Sequence, residues 1–300
     1  MAKVNYFSYE TGSWVAGEGT DPAYDLLVLL PPDYSATGAA WPWVLECHGA
    51  GVTSHYYDIS GNGSDYGGYH ISEAWLAQGY VFVAAYQTHV RRWGNDATLG
   101  GVANSHAYAV ANFNLQATGI VGGCSMGGLP GLLTLLAHPE WFRAGAFLHA
   151  VCSLDAMHTP EAGNSNYQAE INTSYACTNE TYDAATAGHH PEDSWAVIGA
   201  AGLPLAFWHG TSDTTVNIAQ PNALAAGVNA VLSGLVTVYA ISGADHGNYI
   251  DTDAYAAAIP AFLAEIGPWE YDLELLSVAS SEEAASVFGN IDTLGRRLVT

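Results

Sequence analysis

Short apolar runs alternate with longer segments of helical spacing along most of this 300-residue chain. The apolar runs predict strands at about 3–8, 25–31, 43–48, 80–86, 118–124, 143–151, 203–209 and 236–242. Helical spacing predicts helices at about 70–78, 100–112, 126–137, 217–232 and 251–266. Strands separated by helices make a mainly parallel sheet with helices on both faces, and the count predicts eight strands. Tyr80–Ala85 and Leu205–Trp208 are almost unbroken apolar runs, as strands covered on both sides must be. No helix separates the first strands, so they are expected to pair antiparallel at one edge. Two stretches break the alternation. Residues 152–200 are polar and rich in Asn, Thr and Tyr, and read as a lid insertion. Residues 268–300 follow the last core helix and read as a C-terminal appendage to a catalytic domain spanning 1–267. Within that appendage Ser280-Ser281-Glu282-Glu283 has the form of a capping box, and assembly contacts are expected there.

One strand-to-helix junction carries chemistry. Gly123-Cys124-Ser125-Met126-Gly127 fits G-x-S-x-G, between the apolar run 118–121 and the helix-like Leu132–Leu136. A strand turning sharply into a helix holds its serine in a strained, exposed position, and the flanking glycines avoid collisions that any Cβ would cause. The helix start also directs free N–H groups toward that serine. A plain glycine-rich turn with a buried serine would give the same five letters.

A serine hydroxyl needs a neighbouring base, and the base needs an orienting acid. Strand 203–209 runs into His209-Gly210-Thr211-Ser212-Asp213, and strand 236–242 into Asp245-His246-Gly247. Asp155, beyond the preceding strand, is the other acid that chain order permits. An early strand ends in His48-Gly49-Ala50-Gly51, a turn able to aim a backbone N–H at a developing oxyanion. These four motifs, in this order, resemble the α/β-hydrolase superfamily over roughly residues 22–266, on its esterase and prolyl-oligopeptidase-like branch. The resemblance implies Ser125 as nucleophile, His246 as base and then acid, and Asp213 as the orienting acid. It implies an oxyanion hole of Ala50 and Met126 N–H groups, with Gly51 as the alternative to Ala50. A carboxylic-ester hydrolase working through an acyl-enzyme on a neutral ester, such as an acetylated or feruloylated carbohydrate, is then the leading expectation. A prolyl-oligopeptidase-like peptidase, and a phage-tail or surface binding module carrying esterase activity, are the alternatives. No cofactor is implied.

Composition narrows the partners. Six basic residues face 29 acidic ones, for a net charge of −23, which excludes nucleic acid and anionic membrane surfaces as partners. No apolar run reaches membrane-spanning length. The N-terminal residues carry no secretory pattern, so a cytoplasmic or virion-borne location is expected over secretion. The four cysteines lack zinc spacing, and a Cys152–Cys177 bridge is the one pairing considered. Residues 58–69 begin like a calcium loop, but Tyr69 stands where a bidentate Glu is required, so no metal is expected. Around the cleft, His48, Tyr57, His89, Arg91 and Trp93 are the candidate substrate contacts, because the loops at strand ends line such a cleft.

Overall fold

The computed structural model describes residues 3–10, 13–17, 25–59, 68–159, 165–246 and 249–267. Nine strands form one sheet in the order β2-β1-β3-β5-β4-β6-β7-β8-β9. They are β1 (Lys3–Glu10), β2 (Ser13–Ala16), β3 (Asp25–Leu30), β4 (Trp43–Cys47), β5 (Val81–Ala84), β6 (Gly119–Cys124), β7 (Phe142–Leu148), β8 (Leu205–Gly210) and β9 (Val236–Ile241). β1, β2 and β3 pair antiparallel, β3 joins β5 antiparallel, and every pairing from β5 onward is parallel. The count is one above the eight expected. The extra strand, β2, is four residues at the sheet edge with a single neighbour and mostly exposed side chains, so it carries no apolar alternation to read.

Alternation within β3 shows how the sheet buries both faces. Leu26, Val28 and Leu30 enter one core with Leu45, Val83, Phe147 and Phe207; Leu27 and Leu29 enter the other with Val44, Phe82, Ile120 and Trp208. Each such side chain contributes about 1.5–3 kcal/mol by leaving water. Helices α1 (Gly68–Ala77) and α9 (Tyr249–Glu265) close the second face through Ile71, Trp75, Tyr255 and Ile259. Helices α2 (Asp96–Asn112), α3 (Gly128–Ala137) and α8 (Ala219–Val231) close the first through Val102, Leu132 and Leu224.

The insertion after β7 is helical: α4 (Leu154–His158), α5 (Ser165–Ser174), α6 (Tyr182–Ala185) and α7 (Trp195–Ala201). Its ties run mainly to the loop between β5 and α2. Asn95 Nδ2 donates to Ser174 O at 2.7 Å, the Tyr175 hydroxyl donates to Trp93 O at 2.8 Å, and Arg91 pairs with Glu170. All four cysteines are free thiols, so Cys152 and Cys177 are not bridged. Asp58, the first residue of the calcium-like run, is buried and accepts a 2.5 Å hydrogen bond from Tyr6; residues 60–67 lie outside the described part. The tail at 268–300, with Glu282 and Glu283, also lies outside it. No described helix is long and apolar enough to cross a membrane.

Candidate active site

The site stands where parallel strands end. Ser125 follows β6 directly and opens a 3-10 turn, Ser125–Gly127, that runs into α3. Its φ of 55° is left-handed, a strain of about 1 kcal/mol or more that persists only where surroundings enforce it. Two glycines show the enforcement. A Cβ on Gly123 would lie 2.3 Å from Gly127 O, and one on Gly127 would lie 2.1 Å from Cys47 O. The elbow therefore packs backbone against backbone, on itself and on the turn after β4.

His246 follows β9, and its Nε2 accepts from the Ser125 hydroxyl at 2.9 Å. Its Nδ1 lies 2.7 Å from Asp213 Oδ2. A carboxylate only accepts, so the proton sits on Nδ1 and Nε2 is left free to receive one from Ser125. Asp213 divides its two oxygens. Oδ1 accepts from Thr215 N at 2.9 Å and Val216 N at 2.8 Å, while Oδ2 faces the imidazole. Burial alone would raise this carboxyl. Hydrogen bonds from His209, His246 and the Val216 N–H outweigh it and hold the group well below the usual carboxylate range. Asp155 is not in this chain; its Oδ1 accepts from the Tyr182 hydroxyl. Asp245 is exposed and accepts from the His246 backbone N–H rather than from the ring.

Two further histidines support these groups. His209 is fully buried; its Nε2–H donates to Val216 O at 2.7 Å and lies 3.2 Å from Asp213 Oδ2. His149, at the end of β7, places its ring centroid 4.5 Å from that of His246 and its Nε2 3.0 Å from Cys124 Sγ. Its φ of 34° is also left-handed. His209 stood inside the motif that carries Asp213. His149 had no signal beyond a place in an apolar run.

The turn Cys47–Gly51 runs beside the elbow, and a Cβ on Gly49 would lie 3.9 Å from Ser125 Oγ. Gly51 is removed as an oxyanion donor, because its N–H donates to Val90 O at 2.8 Å. Ala50 and Met126 remain, and their side chains share an apolar cluster with Trp93, Leu129, Val151, Leu154, Met157 and Ile171. The insertion and the elbow are thus packed as one unit.

Three expected substrate contacts are instead structural. Tyr57 is buried, its hydroxyl directed at Glu46 Oε1 (3.3 Å) and Cys47 O (3.4 Å). Trp93 is buried against the edge of Tyr167 and packs in the apolar cluster. His48 is buried with its Nδ1–H on Gly49 O at 2.9 Å, and desolvation lowers its pKa to about 4, so the ring is neutral. Arg91 and His89 do face solvent. With Ala169, Glu170 and Thr173 of α5 they line an open groove of about 390 Å³. The groove adjoins the Cys47–Gly51 turn: a Cβ on Gly51 would lie 3.1 Å from Arg91 Nη2.

The fold has counterparts among solved structures. Est1E from Butyrivibrio proteoclasticus superposes with a TM-score of 0.60 at 12% identity, over 88% of this chain and 99% of that one. The esterase domain of a Rhodothermus marinus protein gives 0.58 at 16% identity, over 89% and 100%. Oligopeptidase B from Leishmania major gives 0.64 at 13% identity, over 88% and 36%. The fold is that of the α/β-hydrolases. The chain spans 38% of a matching prolyl endopeptidase chain, so it corresponds to one part of that protein. No protein-family profile and no curated sequence matches the chain.

Proposed function

We propose that the protein is a serine carboxylic-ester hydrolase acting through an acyl-enzyme on Ser125. The observation that carries this reading is the continuous hydrogen-bond chain Ser125–His246–Asp213, set on an elbow that holds the serine at left-handed φ. Ser125 Oγ attacks the ester carbonyl carbon as His246 Nε2 takes its proton. The N–H groups of Ala50 and Met126 receive the oxyanion. Collapse breaks the carbonyl–alkoxy bond, and His246 returns the proton to the leaving alcohol. Water then attacks the acyl-Ser125 with His246 as base, releasing the acid and restoring the serine. Asp213, held ionised by its neighbours, stabilises the imidazolium in both halves.

The substrate class favoured is a neutral ester of a polyhydroxylated alcohol. A net charge of −23 repels anions. The groove beside the oxyanion turn offers Arg91, His89, Glu170 and Thr173, donors and acceptors suited to sugar hydroxyls. The likeness to oligopeptidase B and an acylaminoacyl peptidase supports a peptidase as the second reading.

Hydrolysis of p-nitrophenyl esters from acetate to octanoate by wild type and Ser125→Ala tests the proposal. Turnover abolished in the variant is expected, with the chain-length profile sizing the acyl pocket. A folded wild type silent on every ester but active on peptides would replace it with the second reading.

A further inference from the structure

We propose that Asp155, His190 and Glu192, in the insertion, bind a divalent cation of the zinc class. Asp155 lies in the first turn of α4, while His190 and Glu192 flank Pro191 in a short 3-10 turn. One ligand atom from each lies within 4.8 Å of the others.

The histidine is held in the orientation that a ligand needs. Its Nε2–H donates to Thr186 Oγ1 at 2.8 Å, and the Thr186 hydroxyl is itself spent on Tyr182 O at 2.9 Å. Nδ1 is therefore the ring atom left for an ion once its proton is displaced, and it faces two carboxylates, 3.4 Å from Asp155 Oδ1 and 3.6 Å from Glu192 Oε1. Those separations match a tetrahedral ion. Two ligands each about 2.1 Å from zinc at the tetrahedral angle lie about 3.4 Å apart. The His190 side chain is only 11% exposed. Its Nδ1 reaches the carboxylates only at ion-pair distance, and Glu192 Oε2 is inaccessible and without a hydrogen-bond partner, so a cation among them would satisfy both.

An outer layer is also in place. The Ser153 hydroxyl donates to Glu192 Oε1 at 2.7 Å, and the Tyr182 hydroxyl donates to Asp155 Oδ1 at 2.8 Å. Such contacts orient ligands and tune their basicity. Asp155 is the exposed member and supplies the way in for ion and water. One imidazole with two carboxylates suits zinc rather than calcium, which requires six or more oxygens. A bound ion would join the chain just after β7 to residues 186–193, fixing the base of the insertion.

Isothermal titration of chelator-stripped full-length protein with Zn²⁺ tests this, alongside Co²⁺ absorption spectra and thermal melts. Wild type should bind with Kd of about 1 μM or tighter. Binding should weaken at least about tenfold in His190→Ala, with loss of the tetrahedral cobalt bands and of the zinc-induced rise in Tm. Circular dichroism checks the fold of that variant; Glu192→Gln, which keeps shape and acceptor, must give the same loss. Wild type without binding at about 100 μM Zn²⁺, or binding unchanged in both variants, would overturn the site and leave a protonated-histidine ion pair.

Discussion

Gly127→Ala probes the elbow more directly than removal of any catalytic group. The native residue has φ −61° and ψ −17°, which alanine adopts freely, so the backbone conformation offers no objection. The objection is steric. The new methyl would sit 2.1 Å from Cys47 O, 2.6 Å from Cys47 C and 2.8 Å from His48 O, all backbone atoms that no rotamer change can clear. Restoring ordinary contact requires the elbow and the β4 turn to part by about 1 Å, for a cost of about 1–3 kcal/mol. That displacement separates Met126 N–H from Ala50 N–H, and a 1 Å error in a catalytic constellation costs about 100-fold in rate. Urea midpoints with p-nitrophenyl acetate turnover measure both effects. Gly100→Ala, in α2 with nothing within 4 Å of the added methyl, serves as control and should gain about 0.5–1 kcal/mol. A Gly127→Ala protein with wild-type midpoint and wild-type turnover would refute the backbone packing described for the elbow.

Other substitutions have equally definite outcomes. Glu46 is wholly buried, and desolvation pushes its carboxyl well above the usual range, only partly offset by Tyr57. Its raised pKa gives full stability below about pH 4.3 and a loss of up to about 1.4 kcal/mol per pH unit above it, until the folded carboxyl ionises. Glu46→Gln should therefore gain on wild type between pH 5 and pH 8 in urea melts; a constant difference would contradict the sign. Asp213 runs the other way: its lowered pKa contributes stability above about pH 3.9 that fades as pH falls, so the gap between wild type and Asp213→Asn should narrow in acid. Gln220 Oε1 accepts from Cys152 N at 3.1 Å and Ser153 N at 3.2 Å, so Gln220→Ala should cost about 1–3 kcal/mol by chemical denaturation. Arg91→Ala breaks an exposed pair worth under about 1 kcal/mol, yet should raise KM with kcat held if the groove binds substrate.

Regular elements were legible because their causes are local. Six-residue apolar runs and helical spacing placed β3, β6 and β8 and the helices α3, α8 and α9 within a few residues. The four motifs brought Ser125, Asp213 and His246 together for a similar reason, since parallel strands deliver their ends to one rim. What stayed hidden depended on long-range placement. Tyr57 and Trp93 look identical in sequence whether a ring lines a cleft or fills the space beneath it. The choice between Ala50 and Gly51 was decided by Val90 O, a group forty residues away in no shared motif. The insertion's helices carry weak apolar periodicity, because much of their contact is polar and tied to the 87–96 loop.

β7 lies between the strand that ends at Ser125 and the strand that leads to Asp213, and the insertion springs from its end. The covering layer is thus spliced into the chain at a point where both of its ends return to fixed strands. Its length and composition can vary while β6 and β8 stay in register with β7. In engineering terms the insertion is a replaceable cassette with one fixed tooth: exchanging the exposed face of α5 would redraw the groove wall at Ala169, Glu170 and Thr173, provided Ile171, which packs with Met126 and Ala50, is kept.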